Sequence, residues 1–268
     1  MDNIWASMEI IFVIVLIIFG LLAGILGGFL GTGGCVVMLP ALYFLFNYNL
    51  PVAIGTTITA VIITATSGSI AHIKIRNVDY RTTIIVAMSG AVGALLGSIT
   101  FQYLVGQLPL LKIILGVAFL YVSLRMIYEG GIKRRVEAKT GNLVPGSALA
   151  KSSIGLIIGV LTGIVGLGGG YALVPSMIYL LGSPVKIAVG TSLASFISMA
   201  VISGAFKIYQ GLVDVVAALS LGAGTAIGAQ IGSRLVPKVP ASYIKLVFGI
   251  VFLYVSLKFI LSIFGISI

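Results

Sequence analysis

Charge is the scarcest commodity in this chain: 6 acidic and 16 basic residues in 268, or 8% charged against 59% apolar. A soluble surface needs about a quarter of its residues charged. With a mean hydropathy of +1.23, the chain is expected to live in a lipid bilayer. Sulfur and imidazole are as sparse. One cysteine excludes an intrachain disulfide, and one cysteine with one histidine cannot complete a four-ligand zinc site. There is no HExxH, no GxSxG and no cluster of carboxylates. Catalysis therefore finds no support, and no cofactor or metal is expected. The net charge of +10 does not point to nucleic acid, because the basic residues stand in short loops between apolar stretches, where they orient a membrane protein. The first apolar stretch, residues 10–29, has no basic leader and no small-residue cleavage pattern, and reads as a retained span.

What the chain does have is duplication. Residues 31–40 read GTGGCVVMLP and residues 166–175 read GLGGGYALVP, 135 positions apart. At the same offset Gly24 matches Gly159, Gly28 matches Gly163, Gly55-Thr56 matches Gly190-Thr191, and Asp79 matches Asp214. The string FLYVSL recurs at 119–124 and 252–257, so the register slips by two late in the repeat. The period is too long for a solenoid, whose units run about 20–50 residues. Duplicated apolar segments are instead a mark of secondary transporters.

Five apolar segments are expected per half: about 10–29, 34–47, 51–73, 82–104 and 109–128, then 151–166, 169–182, 186–208, 214–233 and 240–265. Eight are long enough to cross a core of about 30 Å. The two that follow the glycine loops would reach only about 21 Å at about 1.5 Å per residue. Their loops are therefore expected at membrane depth, where irregular backbone survives only if protein or water surrounds it. The reading is an all-α integral membrane protein of two inverted repeats. Residues 1–128 form the first, residues 129–150 a cytoplasmic linker with the run Lys133-Arg134-Arg135, and residues 151–268 the second. Charge sets the orientation. With the amino terminus outside and five crossings per half, the inner side holds all basic residues except Lys112, Lys207 and Lys258, which is 13 of 16. Four crossings per half, with the short segments re-entrant, would make the repeats parallel and spoil that partition.

The candidate site follows from the paired loops. Gly31, Thr32, Gly33 and Gly34 in one, and Gly166, Gly168, Gly169 and Gly170 in the other, leave backbone amides open at the start of a helix. Together with the helix dipole, such amides suit an anion. No arginine or lysine neighbours either loop in sequence, so amides are expected to hold the anion without a permanent countercharge. The same glycines also permit a tight turn and close helix contact. Thr56 and Thr57, paired with Thr191 and Ser192, either donate to an anion or bond back to a carbonyl one turn earlier. His72 and Lys207 stand at equivalent places near span ends, where a cation either gates and attracts an anion or, for lysine, snorkels to the interface. Cys35, opposite Gly170 in the repeat, is either a substrate contact or a small buried hydrophobe. Asp79 and Asp214 read as helix N-caps.

The loops GTGG and GLGGG ahead of Pro40 and Pro175, the GTT and GTS elements, and the stretches HIKIRNVD and FKIYQGLVD give a chain that resembles the sulfite exporter TauE/SafE family of membrane anion permeases. The resemblance runs along essentially the whole chain. It implies movement of small sulfur-containing anions such as sulfite, sulfonates or sulfoacetate across the bacterial cytoplasmic (inner) membrane. Alternating access around a site between the two glycine loops is one reading of the frame. An anion channel or a non-transporting membrane sensor on the same frame is the other reading. Thr32 against Leu167 and Cys35 against Gly170 are where the two halves part.

Overall fold

The computed structural model describes residues 2–132, 141–166, 170–235 and 241–262. The basic run 133–135 of the linker and the loop residues Gly168 and Gly169 lie outside them. The described residues contain helices and no strand. In chain order these are α1 (Asp2–Leu30), α2 (Cys35–Pro40), α3 (Leu50–Lys74), α4 (Tyr80–Leu104), α5 (Leu108–Ile127), α6 (Ala148–Val165), α7 (Gly170–Pro175), α8 (Val185–Tyr209), α9 (Val215–Leu235) and α10 (Ala241–Leu261). Seven of them, α1, α3, α4, α5, α6, α8 and α9, are long and apolar enough to cross a membrane. The eighth expected span, α10, has 21 residues, about 30 Å at about 1.5 Å per residue.

Polarity runs inside out. Ile10, Ile14, Ile18 and Leu22 form an exposed stripe on α1, as Ile84, Met88 and Val92 do on α4, while Thr56, Thr57, Thr64, Thr191 and Ser192 are wholly buried. That is the arrangement lipid favours, because an unpaired hydroxyl facing hydrocarbon is costly.

Helices α2 and α7 are short, as expected, and both end alike. Pro40 and Pro175 close the α-helical turns, and a π-helical turn follows, Ala41–Leu45 and Ser176–Leu180. Proline lacks the N–H that would continue the i→i−4 ladder, so the helix widens there. Each apolar piece spans only 11 residues, Cys35–Leu45 and Gly170–Leu180, about half the depth of the hydrocarbon core. Left-handed backbone recurs at the repeat offset as well: Gly31 and Gly166, Asn47 and Gly182, Arg76 and Gly211 all have positive φ.

The halves interlock through glycine. A Cβ at Gly24 would stand 2.6 Å from the Thr225 Cα, and one at the equivalent Gly159 would stand 2.9 Å from the Gly90 Cα. Helix α1 thus lies backbone to backbone on α9, and α6 on α4. Hydroxyls add to this contact on the inner helices, with Thr64 Oγ1 donating to Thr225 Oγ1 at 2.6 Å and Ser67 Oγ to the Ala226 carbonyl at 2.6 Å. Gly24→Leu and Gly159→Leu are each expected to destabilise the protein by about 1–3 kcal/mol or more, read as a lower melting temperature in detergent. Gly106→Ala, whose new methyl has only the Tyr103 carbonyl near it at 3.8 Å, should melt as the wild type does.

The helix ends are tied crosswise too. The Asp79 amide donates to Thr191 Oγ1 at 3.0 Å, and the Asp214 amide to Thr56 Oγ1 at 3.0 Å. Both aspartates cap as expected: Asp79 accepts from the Thr82 amide and Asp214 from the Ala217 amide. Asp79 does more. Its Oδ2 accepts from Thr82 Oγ1 at 2.7 Å and from the Val144 amide at 2.9 Å, and Lys151 Nζ donates to both Thr82 Oγ1 and the Val144 carbonyl at 2.7 Å. The end of the linker is thereby anchored on α4. Burial alone would push the Asp79 carboxyl up, but the bonds from Thr82 and Val144 and the nearby Lys151 ammonium outweigh it and hold the group below its ordinary value. The stability it contributes is therefore in place above the ordinary carboxylate range and is lost as pH falls through the depressed value. Asp79→Asn should cost about 1–2 kcal/mol at neutral pH and flatten the acid side of a melting-temperature profile. An unchanged profile would contradict this role.

Candidate functional site

The first glycine loop is built from left-handed backbone: Gly31, Gly33 and Gly34 have φ of 75°, 70° and 77°. Side chains at three such positions in four residues would be strained, which accounts for the glycines. The loop's polar groups are largely turned on itself. Thr32 and Gly33 amides donate to the Gly27 carbonyl, Val37 and Met38 amides to the Gly34 carbonyl, and Cys35 Sγ lies 3.1 Å from the Thr32 carbonyl. An anion held by this turn would therefore have to use the amides of Gly34, Cys35 and Val36. Cys35 itself is fully buried, with its thiol directed at the loop's own carbonyl.

The second loop opens at Gly166, which caps α6 with φ 65° and donates its amide to the Thr162 carbonyl at 2.9 Å. Gly168 and Gly169 lie outside the described residues, and Gly170 begins α7. Gly170 meets the first loop directly: a Cβ there would stand 2.6 Å from the Thr32 Cα. Ser192 Oγ closes the contact, donating to the Val189 carbonyl at 2.9 Å and lying 3.3 Å from the Gly31 carbonyl. The structure thus brings together Gly31, Thr32, Gly170 and Ser192, from both halves.

The other hydroxyls divide. The hydroxyl oxygens of Thr56 and Thr191 accept the amides of Asp214 and Asp79 and fasten helix ends, a contact that neither expected role includes and that leaves each O–H its own donor. Thr57, the counterpart of Ser192, is wholly buried, and its hydroxyl has no partner among the described residues.

A cavity of about 140 Å³ adjoins the loop contact, with Thr32, Val36, Gly170 and Tyr171 on one side and Tyr121, Arg125 and Glu129 of α5 and the turn after it on the other. That volume admits a small solute with some of its water, since a single water needs about 10–15 Å³ by the same measure. The lining is mostly apolar, with few polar groups, which is how small-molecule sites fix orientation. Arg125 Nε donates to Glu129 Oε1 at 2.9 Å, and its guanidinium carbon sits 3.8 Å from the centre of the Tyr179 ring.

Two expectations about charge need correction. Lys207 does not snorkel. It is fully buried, with Nζ donating to the Gly163 carbonyl at 2.7 Å and the Ser203 hydroxyl at 3.1 Å, and it lies 4.2 Å from the Phe101 ring centre. The packing of α4 and α6 over the end of α8 leaves it no route to water, and glycine leaves the Gly163 carbonyl open to it. His72 makes the equivalent approach, its Nε2 3.4 Å from the Gly28 carbonyl. Both side chains therefore meet the helix that leads into a glycine loop, one turn before it. Nor is the site without a countercharge: Arg125 lines the same cavity as Thr32 and Gly170. Sequence reasoning counted Arg125 only toward topology and passed over Glu129 and Tyr171. The available signal was the repeated string FLYVSL, which is followed directly by Arg125 in one half and Lys258 in the other.

Comparison with known proteins points to membrane transport. No solved structure matches the chain. A probable membrane transporter protein, YunE, of Bacillus subtilis (strain 168) is 27% identical over 92% of this chain and 97% of its own length. A probable membrane transporter protein of Xylella fastidiosa (strain Temecula1) is 31% identical over 85% of this chain and 87% of its own. The archaeal MJ0441 of Methanocaldococcus jannaschii, also named a probable membrane transporter protein, is 25% identical over 87% of this chain and 89% of its own. The family model of the sulfite exporter TauE/SafE matches residues 16–259, nearly the whole described bundle, and the chain is accordingly a membrane protein of the TauE/SafE transporter family.

Proposed function

We propose that this chain is a secondary transporter of small sulfur-containing anions, such as sulfite or organosulfonates, in the bacterial cytoplasmic membrane. It works by alternating access of two inverted repeats around a central site at the glycine loops. The substrate class rests on the family description. The observation that carries the mechanism is the exchange of contacts between the halves: Thr56 to Asp214 and Thr191 to Asp79, Gly24 on α9 and Gly159 on α4. Each pair repeats at the offset of 135. Two such halves can swap conformations across the membrane, which is the motion that inverted-repeat carriers use.

The anion reading draws on Lys207, which bonds only a carbonyl and a hydroxyl among the described residues, so that an anion bound near it would favour its ammonium form. In this reading residues 1–128 and 151–268 are the moving halves and residues 129–150 the cytoplasmic tether.

In liposomes the purified protein should take up sulfite with saturation and counterflow, whereas an open pore would show neither and a sensor would show no flux. Thr57→Val separates a substrate contact from packing. Removing a buried hydroxyl that lacks a described partner should leave the melting temperature equal or higher, while the half-saturating anion concentration rises by about tenfold. Unchanged affinity would take Thr57 out of the site. The more obvious Gly33→Val is a poor probe, since φ is 70° and the added carbon would meet Val61 at 2.8 Å; loss of activity there would report strain.

Orientation has its own test. In a Cys35→Ala background, Asp2→Cys and Ile268→Cys should both react with an impermeant thiol reagent applied from outside the cell. Protection of both positions would reverse the topology, and reaction at one only would mean that the two halves cross the membrane an unequal number of times, which overturns the paired-repeat reading.

A further inference from the structure

Helices α5 and α10 carry the same string toward their ends, FLYVSLR at 119–125 and FLYVSLK at 252–258. The two closing cations do equivalent things. Arg125 lies over the ring of Tyr179, 3.8 Å from its centre, and Lys258 lies over the ring of Phe44, at 4.8 Å. Tyr179 and Phe44 are themselves 135 positions apart, each in the π-helical turn after a short helix. Each half therefore sets a cation on an aromatic ring of the other half's broken helix. One of these contacts borders the cavity that reaches Thr32 and Gly170.

An aromatic face attracts a cation without cancelling its charge, and an oxyanion is the stronger partner, above all when a guanidinium can grip two oxygens. Arg125 has five N–H donors, and its bond to Glu129 Oε1 uses the one on Nε. The position equivalent to Glu129, at the offset of 133 set by the FLYVSL strings, is Ser262. Only the Arg125 side thus pairs its cation with an acid that competes with an incoming anion.

We propose that Arg125 and Lys258 are the two entrance cations of the anion path, one at each mouth. Each rests on the opposite half's ring until an oxyanion displaces it, and Glu129 raises the concentration needed on the Arg125 side. This rests on the inverted-repeat transport reading, which places the two equivalent cations at opposite faces and Arg125 at the inner one.

The test is sulfite uptake by protein reconstituted in one orientation, with sulfite presented to one face at a time. Arg125→Gln should raise the half-saturating concentration about ten- to a hundredfold at the inner face, and Lys258→Gln should do so at the outer face, each leaving the other face near the wild-type value. Glu129→Gln should lower it at the inner face. Melting curves establish that each variant is folded. Should a glutamine variant not fold, Arg125→Lys or Lys258→Arg takes its place, with a smaller rise expected at the same face. Wild-type half-saturation at both faces, or an equal rise at both, overturns the assignment of entrance cations while the wild-type flux leaves the transport reading standing. A wild-type protein without saturable sulfite flux overturns the transport reading, and the entrance cations fall with it.

Discussion

In hydrocarbon no hydrophobic force drives one apolar helix onto another, so close packing and hydrogen bonds must do the work. In this chain that work falls on backbone meeting backbone where α1 crosses α9 and α6 crosses α4. Gly24, Gly28 and their neighbours leave room for the partner helix only because they lack a Cβ. The loop geometry depends on this. Gly28 and Gly163 stand one turn before the two loops, and their carbonyls are the atoms that His72 and Lys207 reach. A side chain at either position would push the helices apart and withdraw the ring or ammonium from its partner. Tight crossing and buried cation are consequences of one choice of residue.

Much of this frame was legible in the sequence because duplication and apolar length survive without knowledge of contacts. The offset of 135 marked the two glycine loops and the aspartate caps, and length alone separated residues 34–47 and 169–182, where the structure has its two short helices, from the spans. Partners across the bundle were not legible. A hydroxyl such as that of Thr56 offers the same local choices in any membrane helix, and its actual bond, from the Asp214 amide 158 residues away, depends on how two helices cross. Lys207 failed for the same reason: its distance from the end of α8 suggested water within reach, and only the position of α4 and α6 shows otherwise. Arg125 was read as a loop charge because the site's second wall is built by a helix far from either glycine loop in sequence.

The halves match in frame and differ in their polar ends. Asp79 is embedded in a network with Thr82, Val144 and Lys151, while Asp214 has the Tyr48 hydroxyl on its Oδ2 at 2.7 Å. Val144 and Lys151 belong to the linker's end and the start of α6, so the tether itself enforces one of the two crosswise fastenings. The corresponding contact in the other half comes from a single residue between α2 and α3. Breaking four coupled bonds costs more than breaking one, so the symmetric frame has unequal ends.

That inequality matters for the proposed alternating access. Two related conformations can exchange only if their free energies lie within a few kcal/mol, since a 1:99 population already corresponds to about 2.7 kcal/mol. An ideal duplication would make the two conformations equal in energy and respond to the substrate in the same way from both sides. Thr32 against Leu167, Cys35 against Gly170, Glu129 against Ser262 and the Asp79 network against Tyr48 each remove some of that equality. They cluster at the loops, the cavity mouth and the tether, while at the crossings Gly24, Gly28, Gly159 and Gly163 keep to the repeat and one pair of contact partners differs, Gly90 against Thr225. In the proposed exchange the crossings must fit in both conformations, whereas the polar ends would be made and broken in turn, and there a difference would set which conformation the empty protein prefers.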